Sequence, residues 1–179
     1  MEERMIIAGF GGQGVLLTGK LLGFAACHSN NCATFLPSYG GQQRGGPAMC
    51  TVVLSDKEIS SPVIGVADTL MAFNQNAIDE YLPKLKTNGK LYINSSLCNT
   101  DIDRDDVEVV AVPIDDLAKE MGKRQVANII MLGVYISKTG IFTQEEMNLA
   151  IEKFLHSKPQ FIELNKEAIK KGIEVSKNI

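Results

Sequence analysis

The chain has 179 residues, 45% hydrophobic and 22% charged, with a formal net charge of -3, which fits one globular domain over residues 1–179 and excludes disorder and a fibrous repeat. The longest stretch without Asp, Glu, Lys or Arg, residues 21–43, holds His28, Ser29, Asn30, Asn31, Pro37 and several glycines, so it is no membrane helix. Net acidity without a basic stripe argues against nucleic acid as a partner.

Two acids precede the first apolar run and no basic leader is readable, so a cytoplasmic location is expected. Four cysteines, Cys27, Cys32, Cys50 and Cys98, form no CxxC pair. Free, mostly buried thiols in a reducing compartment are the expectation.

In chain order, RMIIAG (4–9) is a short apolar run, GFGGQG follows, and VLLTGKLLGFAAC has apolar residues three and four apart. This predicts strand, glycine turn, helix. Asn30 and Asn31 close the helix, CATFLP is a second strand, PSYGGQQRGGP a loop, and AMCTVVLS a third strand. SDKE is expected to be a hairpin tip, with a return strand starting at Ile59 and stopped by Ser60, Ser61 and Pro62. DTLMAF predicts a strand, Asn74 a helix cap for NQNAIDEYLPKL, and KTNG a turn. KLYINSS and VEVVAVP are strands expected to be covered on both faces. The loop between them, with Asp101, Asp103, Asp105 and Asp106, reads as a solvated edge rather than a metal site.

From Asp115 the pattern is helical through DDLAKEMG, VANIIMLGVYISKTG, a helix opened by a Thr143–Glu146 capping box, and a last helix from Pro159. Alternating strands and helices followed by helices predict an α/β fold, a three-layer α/β/α domain with a largely parallel or mixed sheet, closed by a C-terminal helical segment over about 115–179.

Function-bearing signals concentrate early. Residues 4–55 contain no Asp or Glu, and ten of the 16 glycines lie between residues 9 and 46. Gly9–Gly14 satisfies GxGxxG after a strand and before a helix, where unpaired N–H groups favour an anion. A dinucleotide site also needs an acid at the end of the second strand. CATFLPSYG has none, so two readings stay open: a turn that needs glycine for packing, or a phosphate or partner surface. The loop Pro37–Pro47 is expected on the same sheet edge, around Arg44. Catalytic equipment is thin. His28 and His156 sit at helix ends, Ser38 is not in a GxSxG elbow, and Cys50 has no histidine partner.

Taken together, IAGFGGQGVLLTGKLL, LPSYGGQQRGG, ISSP, INSS, VANIIMLG and LNKEAIKKG resemble the gamma subunit of 2-oxoacid:ferredoxin oxidoreductases, which is also a fused domain of single-chain pyruvate:ferredoxin oxidoreductase. GFGGQGVLLTGK is similar to the 2-oxoglutarate type. The resemblance implies a subunit without its own catalytic centre, in an enzyme that oxidatively decarboxylates a 2-oxoacid onto coenzyme A. It further implies thiamine diphosphate and iron–sulfur clusters on partners: thiamine-binding alpha and beta subunits and a ferredoxin-like subunit, with ferredoxin as acceptor. The residues it implies for coenzyme A or the subunit interface are Gly11, Gly12, Gln13, Gly14, Ser38, Tyr39, Gly40, Arg44, Gly45 and Gly46. Gly41-Gln42 stands where the family commonly has Pro-Glu.

Overall fold

A computed structural model describes residues 1–39 and 45–179, with the backbone alone at Tyr39. Six strands, β1 (Glu2–Phe10), β2 (Cys32–Tyr39), β3 (Pro47–Ser55), β4 (Ala67–Ala72), β5 (Leu85–Asn94) and β6 (Glu108–Val112), form one sheet in the order β2-β3-β1-β4-β5-β6. β3 runs antiparallel to both neighbours, and β1, β4, β5 and β6 are mutually parallel. The sheet is therefore mixed, within the expected class.

The helices are α1 (Val15–His28), α2 (Gln75–Tyr81), α3 (Ile114–Glu120), α4 (Ala127–Thr139), α5 (Gln144–Phe154) and α6 (Ile162–Ser176). Strand alternation sends Met5, Ile7, Cys50, Val52 and Leu54 into a core shared with α1, α3, α4, α5 and α6. Ile6, Ala8, Leu70, Ala72, Leu91 and Ile93 point the other way, to a thinner layer made by α2 and the irregular segments 56–66 and 95–107. The expected closing segment is thus no appendage. α4 is buried continuously from Ala127 to Ile136, and α6 crosses it where Gly133 and Gly172 meet backbone to backbone.

Local signals hold where they were strong. Asn74 caps α2, its Oδ1 accepting from Ala77 N at 2.9 Å, and the Thr143–Glu146 box is complete. Four expectations are corrected. No strand starts at Ile59, and the hairpin joins β2 to β3 instead; Pro37–Tyr39 and Pro47 belong to those strands. KTNG lies within β5 as an insertion between the Ala67–Leu85 and Thr69–Lys90 pairs, with Asn88 at φ +60°. β6 is an edge strand with Glu108 and Val109 exposed, so its apolar composition does not mean cover on both faces. The thiols are not mostly buried: Cys27 and Cys32 are exposed, Cys98 half-buried and Cys50 buried. Among the described residues no helix is long and apolar enough to cross a membrane.

Candidate functional site

β1 ends in the glycine turn because the next residues leave extended geometry. Gly12 has φ +105° and Gly14 φ +80°, a region open to glycine and costly to other residues. Gly14 takes the N-cap position of α1, and its carbonyl accepts from Thr18 N at 3.0 Å and Thr18 Oγ1 at 3.1 Å. A Cβ on Gly14 would collide with the Asn128 side chain of α4, whose Nδ2 donates to Gly14 O and Thr18 Oγ1 at 3.2 Å. A Cβ on Gly12 would meet nothing within 4 Å. The packing reading is therefore seen at Gly14, whose Cβ position is filled by Asn128, while Gly12 lies open.

Gln13 holds the turn in place. Its Oε1 accepts from Phe10 N at 2.7 Å and from Asn74 Nδ2 at 3.1 Å, while its Nε2 donates to Phe73 O at 3.1 Å. The same carbonyl accepts from Asn94 Nδ2 at 3.2 Å, and that amide also donates to Asp115 Oδ2 at 2.6 Å. This run of amides ties the carboxyl ends of β1, β4 and β5 to the start of α3, leaving Gln13 largely committed within the chain.

The second loop closes on the first as expected. Gly11 N donates to Gly46 O at 2.8 Å and Gly45 N to Gly11 O at 3.2 Å, continuing the β1–β3 ladder beyond Phe10–Pro47. β1 and β2 point the same way, although β3 lies between them. Ser38 is exposed at the end of β2 and Tyr39 pairs with Ala48. Gly40 and Arg44, with Gly41-Gln42, lie outside the described residues.

Three hollows surround the turn. One of about 280 Å³ opens at the start of α1, lined by Phe10, Gly11, Gly12, Gly14, Val15, Leu16, Leu17 and Ala48. No side chain caps α1 and no acid occupies its first turn, so the positive end of the helix faces this hollow. A second, of about 230 Å³, includes Ser38, Met49, Asn74, Glu80 and Tyr81, where burial and the neighbouring Glu80 push the Tyr81 hydroxyl up to about 12. The third, of about 210 Å³, brings Asp115, Arg124 and Gln125 to Gly12 and Gln13. Residues 4–55 lack acids in sequence, yet Glu80 and Asp115 arrive beside them from elsewhere; of the three hollows around the turn, the one at the start of α1 has no carboxylate in its lining.

Residues 4–175 match the family described as Pyruvate ferredoxin/flavodoxin oxidoreductase. The chain belongs to that family. It is 37% identical to the 2-oxoglutarate synthase subunit KorC of Methanocaldococcus jannaschii, covering 100% of this chain and 96% of the relative. It is 34% identical to the ketoisovalerate oxidoreductase subunit VorA of Methanothermobacter marburgensis over 97% of this chain, and spans only 36% of that longer relative. The crystal structure of the keto/oxoacid ferredoxin oxidoreductase gamma subunit from Geobacter sulfurreducens superposes with a TM-score of 0.84 at 31% identity, covering 99% of both chains.

Within this oxidoreductase family member, Cys50, His28 and His156 are engaged inside the chain, while Ser38 is exposed at the end of β2. The Cys50 thiol donates to Val15 O at 3.7 Å and burial pushes it up to about 12. His28 stacks on Phe24 at 4.5 Å and bonds Phe24 O at 2.9 Å; His156 bonds Lys153 O at 3.0 Å. Among the described residues no three His, Cys, Asp or Glu are placed to hold a metal. Asn94, Asp115, Arg124, Gln125 and Asn128 were not singled out from sequence. Two of them lie in stretches that carry the resemblance, Asn94 in INSS and Asn128 as a polar residue inside the apolar run VANIIM.

Proposed function

We propose that this chain is the gamma subunit of a cytoplasmic, multi-subunit 2-oxoacid:ferredoxin oxidoreductase of the 2-oxoglutarate type. The complex oxidatively decarboxylates its 2-oxoacid to the acyl-CoA and passes two electrons to ferredoxin. The observation that carries the proposal is the end-to-end match to KorC, a separate chain of nearly the same extent. The free-standing nucleotide enzyme suggested by GxGxxG lacks support: antiparallel β3, not β2, adjoins β1, so the second-strand acid of a dinucleotide site has no counterpart beside the turn.

In this reading thiamine diphosphate and the iron–sulfur clusters belong to the alpha, beta and ferredoxin-like partners. The cysteines support that division, since they sit on α1, β2, β3 and the loop after β5 rather than in one compact set. Coenzyme A, when bound, supplies the thiol that takes up the acyl group. The hollow at the start of α1 fits its pyrophosphate, because its walls hold no carboxylate and the helix N-terminus is uncapped. Gly11, Gly12 and Gly14 would line that approach, with Ser38 and Tyr39 at the end of β2 and Gly45 and Gly46 bonded to the turn; Gly40 and Arg44 come from the resemblance alone and lie outside the described residues. Gln13 would act by holding the turn.

The test is purification of the native complex through a tag on this chain, followed by assay of ferredoxin reduction with 2-oxoglutarate and coenzyme A. The expected result is activity in the complex and none in the isolated chain. An isolated chain that turns over, or a complex that prefers pyruvate, would overturn the corresponding part of the proposal.

A further inference from the structure

Ion pairs occur on both sides of the sheet, Arg104–Asp106 at 2.5 Å among them on the thin side, but one stretch of that side is free of charge. The helical side is laced with ion pairs: Lys166 bridges Glu152 at 2.6 Å and Glu163 at 3.1 Å, and Lys170 and Lys171 approach Glu174 and Glu120 at 3.9 and 4.0 Å. That is a water-facing surface. On the thin side, residues 59–67, ISSPVIGVA, carry no charge, and neither do residues 32–39 and 45–55 of the hairpin strands.

The charge-free loop is held in place. Thr51 Oγ1 donates to Pro62 O at 3.1 Å, Val63 N donates to Ser61 Oγ at 3.1 Å, and Ile64 packs against the sheet. Anchored in this way, it displays Val63, 71% exposed, and Val66, 55% exposed. Register puts Leu36, 41% exposed, directly opposite Thr51, hence beside Pro62. Two residues further along β3, Met49 lines the hollow that reaches Ser38, Gly9 and Phe10. An uncharged strip therefore runs from Val63 past Leu36 to Met49, at the mouth of the hollow that Glu80 enters from α2. Water gains nothing from such a surface, whereas the centre of a protein interface is depleted in charge.

We infer that this face of β2, β3 and residues 59–66 docks onto a partner subunit corresponding to the part of VorA outside the matched span. The inference rests on the gamma-subunit reading. VorA points to this occupant, because there the matched span makes up 36% of one longer polypeptide, which joins this chain's counterpart to the rest of that subunit. Pro37 removes an N–H from edge strand β2, which disfavours adding another strand, so the contact is made by the face.

The experiment isolates the complex from its native source through tagged wild type, Val63→Asp/Val66→Asp, and Leu149→Asp, an exposed apolar position on α5. The double variant is expected to keep its circular dichroism and to retain at least tenfold less of the VorA-like subunit, while Leu149→Asp retains it as wild type does. Amides of residues 59–66 should also exchange more slowly in the wild-type complex than in the free chain, a readout that needs no variant to fold. Undiminished retention by a folded double variant, unchanged exchange, or a free-chain dimer broken by the double variant while the complex survives would overturn the surface assignment. Wild type that retains no such subunit would instead overturn the gamma-subunit reading beneath it.

Discussion

Gly14 carries two constraints at once, positive φ and a side-chain neighbour with nowhere to go. Gly14→Ala is expected to cost about 2 to 3 kcal/mol, combining the left-handed penalty with overpacking against Asn128. Gly12→Ala faces the backbone term alone and should lose about 1 to 2 kcal/mol. Urea unfolding of both variants checks the order, and Asn128→Gly added to Gly14→Ala should recover part of the loss. Sequence showed that the turn needed glycines. It did not show which glycine packs and which stays open, because Asn128 lies 114 residues further on.

α5 is the element whose sequence signal and structure agree most closely, with an addition from outside. Glu146 completes the capping box by accepting from Thr143 N at 2.8 Å, and also accepts from Ser29 Oγ at 2.6 Å, tying the end of α1 to the start of α5. The Ser29 hydroxyl and then the Thr143 backbone hold the Glu146 carboxyl below its ordinary value. Its contribution is present above the unfolded carboxylate range and is lost as pH falls through the lower folded value. Thr143→Ala should cost about 1 kcal/mol. Glu146→Gln should be less stable than wild type at pH 7, with the gap closing under acid conditions, as thermal melts across pH would show. The box was legible because it spans four residues. The return strand expected to start at Ile59 and stop at Ser60, Ser61 and Pro62 does not form, because local composition does not report which strand edge is already paired.

Over the whole molecule, Glu3 lies at the sheet edge opposite the glycine turn, in a hollow it shares with Asp68, Lys86, Lys90 and Tyr135. Burial raises its carboxyl; the Thr69 hydroxyl, donating at 2.6 Å, opposes this, and Asp68 adds to it. The linkage is opposite to that of Glu146. Stability is favoured while Glu3 is protonated, below the unfolded carboxylate value, and falls as pH rises through the raised folded value. Glu3→Gln keeps an acceptor for Thr69, so it is expected to raise the urea midpoint at pH 7 and to lose that advantage near pH 4, about the unfolded value of a glutamate.

Sequence by itself determined the α/β class, the strand–glycine turn–helix start, the caps at Asn74 and Thr143, and the family resemblance, since each is written in residues a few positions apart. Tertiary structure alone decided that β3 separates β1 from β2, that Glu80 and Asp115 stand beside an acid-free segment, and that one side of the sheet carries five helices while the other keeps an uncharged, exposed loop. Those outcomes depend on which distant surfaces meet when the core closes, and burial acts on area rather than on sequence order.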